Sequence, residues 1–411
     1  MIETTTQAAR TSALVSARIE RIETIRIAEQ PNVLWVEVTD SEGRVGLGET
    51  FYNPGAVEAI VHDMAAPLLL GKSASAIEDA WQTLFACANF YGYAGAEMRA
   101  FSAVDIALWD LLGQATGLSV STLLGGRVRD RIRIYNTCVN AGGFDDQDAF
   151  IERPGDLAEE LLAEGITALK VWPWDRFAPQ IKADFVTGPA GWSAMGPVGH
   201  DLTPQQLDEG LAVVEAIRDR VGNRIDIMIE GHSRWDLNAA LRICRALEPY
   251  EVAWVEDIIQ PDSPRDLARL AHETRVPQSV SERLFTRYRY RDVFELGAAQ
   301  IAMVDVVWTG GLTEARKIAH LADTYHLPLT PHDCVGPVCL AAALQLCAHA
   351  TNAKIQETVR GFYGGWYREA VNEELEVVDG HALIPDRPGL GVTLRPELRR
   401  RDDVTVRVSG G

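Results

Sequence analysis

From Arg131 to Gln356 the chain repeats one unit: a short apolar run, a polar break, then an amphipathic stretch of helical period. The apolar runs are Ile132–Cys138, Ala168–Val171, Ile225–Ile229, Ala253–Val255, Gln278–Val280, Gln300–Val304, Leu327–Thr330 and Lys354–Gln356. Between them, Leu207, Leu211, Val214, Ile217 and Val221 hold helical spacing, as do Leu237, Leu241, Cys244 and Leu247. Eight strands alternating with helices is the count for a (β/α)8 barrel. A doubly wound sheet would usually carry a Gly-rich first βα turn, and none is present.

The residues ahead of this repeat have a different period. Ala17 to Gly48 alternates like two or three antiparallel strands, with a turn at Asp40-Ser41-Glu42-Gly43. Helical segments follow at 56–70, 76–88 and 96–113, the last with Met98, Ala100, Phe101, Val104, Leu108 and Leu111 on one broad apolar face. Strands and then helices in separate blocks describe a small α+β domain. The expected division is therefore 1–130 as an N-terminal capping domain, 131–357 as the barrel, and 358–411 as a C-terminal segment that packs back on the cap. Trp172 to Asp201, with four prolines and four glycines, is longer than the roughly 2 to 6 residues of an ordinary βα connection. It is expected to run over the catalytic face.

Composition limits the function. With 39 Lys plus Arg against 58 Asp plus Glu the formal charge is −19, which disfavours nucleic acid and an anionic membrane surface as partners. No apolar run approaches the roughly 20 residues of a membrane helix, and the start has no basic segment before an apolar one, so a soluble cytoplasmic protein is expected. The six cysteines form no CxxC pair and are expected to be reduced packing thiols.

Barrel chemistry sits where the strands end, and here the strand ends are titratable. In order they carry Lys170 followed by Trp172, Glu230-Gly231-His232, Glu256-Asp257, Glu282-Arg283, Asp305, His332-Asp333 and Glu357. Glu230, Glu256 and Glu282 are separated by 26 residues twice, which sets one carboxylate at the same height on three consecutive strands. Such groups repel in a low-dielectric mouth unless a cation lies between them, and hard oxygen ligands favour Mg2+ over zinc. Salt bridges to neighbouring Lys or Arg are the alternative for any one of them. Asp305 and His332 end adjacent strands, so a carboxylate can fix the imidazole tautomer and make His332 a general base. His232 lies two residues past Glu230, and in an extended segment the two share a face. The aromatic runs Phe51-Tyr52-Asn53-Pro54 and Asn89-Phe90-Tyr91-Gly92-Tyr93 are candidate loops over the mouth. Packing between the domains is their other reading.

The segment Ala96-Glu97-Met98-Arg99-Ala100-Phe101-Ser102-Ala103-Val104-Asp105-Ile106-Ala107-Leu108-Trp109-Asp110, with Trp254-Val255-Glu256-Asp257, Ser281-Glu282-Arg283, Gly310-Gly311-Leu312-Thr313-Glu314 and Pro331-His332, resembles the enolase superfamily. Within it the chain is similar to the mandelate racemase subgroup and its acid-sugar dehydratases of galactonate, gluconate and mannonate type. The resemblance implies an enolase-like modified TIM barrel with a cap, and abstraction of the proton α to a carboxylate assisted by Mg2+. It implies Glu230, Glu256 and Glu282 as ligands, His332 with Asp305 as the base dyad, and Glu357 as a contact to the substrate carboxyl. Racemases of the subgroup carry Lys-x-Lys at the second strand, where this chain has Lys170-Val171-Trp172. Glu-x-His at the third strand resembles the dehydratases, in which this histidine protonates the departing 3-hydroxyl. His232 is expected in that role, Lys170 as a binding or polarising group or a structural partner of a glutamate, and Trp172, Tyr52, Asn53 and Tyr91 as substrate contacts. The expected partner is a small acid sugar, and the family expectation for assembly is a homo-oligomer, dimer or octamer. A racemase, epimerase or cycloisomerase on the same fold is the alternative enzyme, and a non-catalytic binding barrel the non-enzyme reading. Zinc hydrolysis would need a His-x-His after the first strand, where Thr137-Cys138-Val139-Asn140 stands.

Overall fold

The computed structural model describes residues 16–90, 92–181 and 196–411. The N-terminal strands Ile19–Ile27, Val33–Asp40 and Val45–Phe51 form an antiparallel meander. Its second turn is set by Asp40, whose Oδ1 accepts from the amides of Glu42 and Arg44 at 3.0 Å, and by Gly43 at φ 77°. The sheet gains a fourth strand that sequence reading did not identify: Val404–Gly410 pairs antiparallel with Ile19–Ile27, so the chain's end is sewn onto its beginning.

Beneath this sheet lies the helix Ala96–Thr116, apolar on nearly every side because sheet and barrel sandwich it. Strand and helix approach closely enough that a Cβ on Gly48 would stand 1.9 Å from the carbonyl oxygen of Ala103. That closeness requires glycine. The first predicted helix runs as Pro54–Ile60, a π-turn at Val61–Ala65 and Ala66–Leu69.

Among the described residues, eight parallel strands form the barrel: Arg131–Thr137, Ala168–Val171, Asp226–Glu230, Trp254–Glu256, Gln278–Val280, Ile301–Val304, Leu329–Pro331 and Gln356–Thr358. Each boundary lies within two residues of the corresponding apolar run. Neighbours pair in chain order from first to seventh, and the eighth pairs with the first. Closure between seventh and eighth runs through the Leu329–Ala353 bridge and Gln356 Nε2, which donates to the Pro331 carbonyl at 3.2 Å. The first seven strands are followed by long helices. After the eighth the chain makes a π-turn at Phe362–Trp366 that runs into a short helix, Tyr367–Ala370, and returns toward the cap. The amphipathic helices begin as their sequences specify: Thr203 and Gln206 close a capping box, and Asp236 and Ser263 accept from backbone amides of their first turns.

The cap is fastened to the barrel by buried carboxylates that satisfy orphan amides at helix starts. Asp105 Oδ2 accepts from Thr313 N at 2.9 Å, Trp109 Nε1 donates to Thr313 Oγ1 at 2.8 Å, and Gly310 N donates to Ser102 Oγ at 2.9 Å. Glu49 Oε1 accepts from Cys339 N at 2.9 Å while its Oε2 accepts from Trp35 Nε1 at 2.7 Å. Asp110 takes the amides of Leu47 and Leu390 at 2.8 and 2.7 Å, tying the returning C-terminal segment to the cap. At Gly311, φ 77°, an added Cβ would lie 2.3 Å from Asp105 Oδ2, so the Gly310-Gly311 turn is shaped to this contact.

Burial pushes Asp105 up to about 7, whereas an Asp in the unfolded chain ionises near about 3.9. Over that interval the folded protein holds a proton that the unfolded chain has lost. The group's contribution is therefore complete at low pH and is lost as pH rises through about 7. Asp105→Asn keeps an acceptor and removes the ionisation. Its melting temperature relative to the parent is expected to rise by several degrees between about pH 5 and about pH 8, read by circular dichroism. An offset equal at both pH values would contradict this.

Candidate active site

The barrel order turns consecutive strand ends into neighbours. Glu230 closes the third strand, Glu256 the fourth, and Glu282 follows the fifth. Each presents a carboxylate oxygen within 4.8 Å of the other two. Glu230 and Glu256 are buried, and burial is the main cause that raises both pKa values, Glu230 to about 7 and Glu256 well above the usual range. The charge of Glu230 adds to the rise at Glu256. An all-oxygen donor set whose two buried members resist ionisation fits a hard divalent cation, which would hold those two as carboxylates.

Lys170 compensates part of this charge. Its Nζ, buried on the inner face of the second strand, lies 2.6 Å from Glu256 Oε1, 2.8 Å from Glu357 Oε1 and 3.2 Å from Glu230 Oε2. The structure thus places Lys170 as an internal ion-pair hub. Glu357 gains most: burial opposes its ionisation, but Lys170 and His332 hold it down at about 2. Thr137 Oγ1 and the Asp333 amide also donate to it, the latter at 3.1 Å.

On the far side, His332 Nδ1 meets Asp305 Oδ2 at 2.7 Å, and Asp305 is in turn held by the Val307 amide at 2.8 Å. The other ring nitrogen, Nε2, stands 3.1 Å from Glu282 Oε2 and 3.4 Å from Cys334 Sγ. Burial disfavours the imidazolium, yet the surrounding carboxylates, Glu282 foremost, raise its pKa well above the ordinary value. Trp308 walls the ring at 5.2 Å between centroids.

His232 reaches the mouth by a route other than the extended segment expected of it. Its φ is 43° and that of Ser233 is 58°, so the chain turns sharply after the third strand. The turn is drawn in by Glu230 Oε1, which accepts from the amides of Gly231 and His232 at 3.0 and 2.7 Å. His232 Nδ1 then meets Asp175 Oδ2 at 2.5 Å. Asp175 is a buried residue that sequence reading missed; the available signal was a carboxylate three residues beyond Trp172, just past a strand end. In a closed ring of eight, the third and seventh strands lie opposite each other, so the two carboxylate-paired imidazoles face across the mouth.

The predicted substrate contacts divide. Trp172 is buried, its ring 5.0 Å from Phe150 and edge-on to His232 at 5.7 Å, so it packs the histidine in place. Tyr52 packs tilted against Trp308, 5.6 Å between ring centroids, and so reaches the mouth from the cap, while Asn53 is exposed. Tyr91 lies outside the described residues, as does the middle of the Trp172–Asp201 insertion. No helix among the described residues is long and apolar enough to cross a membrane.

Comparison with known proteins bears on the family and the fold. Residues 155–398 match the enolase C-terminal domain-like family, and residues 9–125 match the mandelate racemase / muconate lactonizing enzyme N-terminal domain. A D-galactonate dehydratase of Variovorax paradoxus is 32% identical over 92% of this chain and 93% of its own. Among solved structures, an enolase of the mandelate racemase subgroup from Agrobacterium tumefaciens is 41% identical with a TM-score of 0.85, covering 96% of this chain and 99% of that one. An enolase protein from Sargasso Sea environmental sequencing is 41% identical with a TM-score of 0.86 over the same shares. With both family domains matched in order along one chain, this protein belongs to the mandelate racemase subgroup of the enolase superfamily.

Proposed function

We propose that this protein is a hydro-lyase that dehydrates a sugar acid to its 2-keto-3-deoxy acid, as the D-galactonate dehydratases it resembles are named for doing to galactonate. The observation that carries this reading is the pair of imidazoles across the mouth, His332 on Asp305 and His232 on Asp175, beside three converging carboxylates. Elimination needs one group to take a proton and another to give one, on opposite sides of the same carbon–carbon bond.

In this reading His332 Nε2 removes the proton from C2. Asp305 holds the ring in the tautomer that leaves Nε2 as the accepting nitrogen and stabilises the imidazolium that forms. His232 gives a proton to the 3-hydroxyl, which departs as water, and the resulting enol ketonises. Glu230, Glu256 and Glu282 would hold Mg2+, which when bound supplies fixed positive charge where negative charge develops on the substrate carboxylate. Glu357, kept ionised by Lys170, would accept a hydrogen bond from a substrate hydroxyl at that carboxylate's end. Lys170 acts through the glutamates it spaces.

A two-base racemase would need a second proton acceptor at the end of the second strand. There Trp172 offers only an indole packed between Phe150 and His232. Cap, barrel and returning C-terminal segment, divided near residues 130 and 357, would form one protomer of a homo-oligomer.

Two outcomes test the assignment. A panel of sugar acids with Mg2+, assayed for 2-keto-3-deoxy products, is expected to yield product from one or a few members, and His332→Asn is expected to reduce kcat by about 10²–10⁴-fold or more. Product formation indifferent to His332→Asn would contradict the reading. His232→Asn is expected to abolish product yet still exchange the C2 proton of the same acid with deuterated solvent, followed by NMR. Loss of exchange together with product would remove His232 from the leaving-group step.

A further inference from the structure

The mouth is crowded with carboxylates, yet at least one cation beside it pairs with none of the described ones. Arg99, in the first turn of the helix Ala96–Thr116, lays its guanidinium over Trp308 at 5.1 Å and over Phe285 at 5.7 Å. Among the described residues it makes no ion pair, and its Nε is buried without a hydrogen-bond partner. Burial pulls its pKa down while the charge of Asp305 is the largest influence holding it up, so the group stands within electrostatic reach of the base dyad. Trp308 is the common wall, with the His332 ring 5.2 Å from one part of the indole and the Arg99 guanidinium 5.1 Å from its ring. Arg283, exposed at the end of the fifth strand, adds a second guanidinium nearby. Beside them a cleft of about 420 Å³ opens between Tyr93 of the cap and Gln260, Arg283 and Phe285 of the barrel.

A guanidinium held over aromatic rings keeps donors available for a ligand, and its planar fork matches a carboxylate in bidentate fashion. A desolvated donor left unpaired is costly, so a ligand that supplies an anion there gains from the pairing. With the reacting end of the substrate at the glutamates and His332, the chain of a sugar acid extends toward the cap, and Arg99 stands at that end. We propose that the substrate is a diacid, whose far carboxylate is bound by Arg99 with Arg283 beside it. This rests on the sugar-acid reading above and departs from galactonate, which carries one carboxylate. Arg99 is a specificity-determining residue in this account, contributed by the cap rather than by the barrel.

The test is binding, which does not depend on turnover. In the metal-loaded His332→Asn protein, dissociation constants are measured by calorimetry for an aldarate and for the aldonate of matching stereochemistry. The aldarate is expected to bind at least about tenfold more tightly, the size of one charge-assisted contact. Adding Arg99→Met is expected to bring the two constants to within about twofold of each other, and Arg99→Lys to restore part of the preference, with circular dichroism confirming that each variant is folded. Equal binding of the two acids by the parent, or a preference that survives Arg99→Met, would overturn the proposal. A preference that disappears with Arg99→Met supports it even where no acid in the panel is dehydrated, an outcome that would count against the dehydration step alone.

Discussion

Four glutamates converge on one end of a barrel from which most water is excluded, and their mutual repulsion is the constraint on which the rest of the site depends. Glu230, Glu256 and Glu357 are buried, and Glu282 is half-buried beside His332. Carboxylates so placed must protonate, pair with cations or bind a metal. The structure divides them. Lys170 with Thr137 and the Asp333 amide secures Glu357 as an anion, whereas burial raises Glu230 to about 7 and Glu256 well above the usual carboxylate range, so both retain a demand for positive charge. One lysine shared among three glutamates leaves that demand partly unmet, which suits the triad to hold a divalent cation.

The same constraint explains why the cap is held so firmly. A mouth that works by low dielectric needs a roof, and the roof must deliver side chains at fixed positions. Asp105, Glu49 and Asp110 serve as hydrogen-bond acceptors at segment starts in the barrel and in the returning C-terminal segment, and each is buried and raised to about 7. The contact at Thr313 lies on the helix that Arg99 also occupies, through Asp105 six residues further along. Anchoring that helix therefore fixes Arg99 over Trp308, and the neighbouring strand brings Tyr52 to the same ring. Docking and substrate-end recognition are parts of one arrangement.

Much of this was legible in the sequence because it rests on period and spacing. Eight apolar runs located the barrel strands to within two residues, and the 26-residue interval placed three carboxylates side by side, since equal βα units end at equal heights. Asp305 and His332 touch because adjacent strands end together. What escaped depended on backbone turns and on contacts distant in the chain. The left-handed turn at His232 and its pairing with Asp175, 57 residues away, leave no periodic trace. The last strand, Val404–Gly410, does alternate, with Val404, Val406 and Val408 between Thr405, Arg407 and Ser409, but it is mostly exposed and its partner Ile19–Ile27 lies at the other end of the chain, which no local pattern shows. Arg99 sits inside a helix whose apolar face drew attention to packing, so its position over two aromatic rings became visible only in three dimensions.

The account turns on the claim that the three converging carboxylates hold one divalent cation. Calorimetric titration of Mg2+ into the metal-stripped protein tests it most directly, alongside Glu256→Gln, which keeps the shape of the side chain and removes its charge. The account predicts one ion per chain in the parent and binding at least about tenfold weaker in the variant. Absence of saturable binding in the folded parent, or equal affinity in the two proteins, would contradict it.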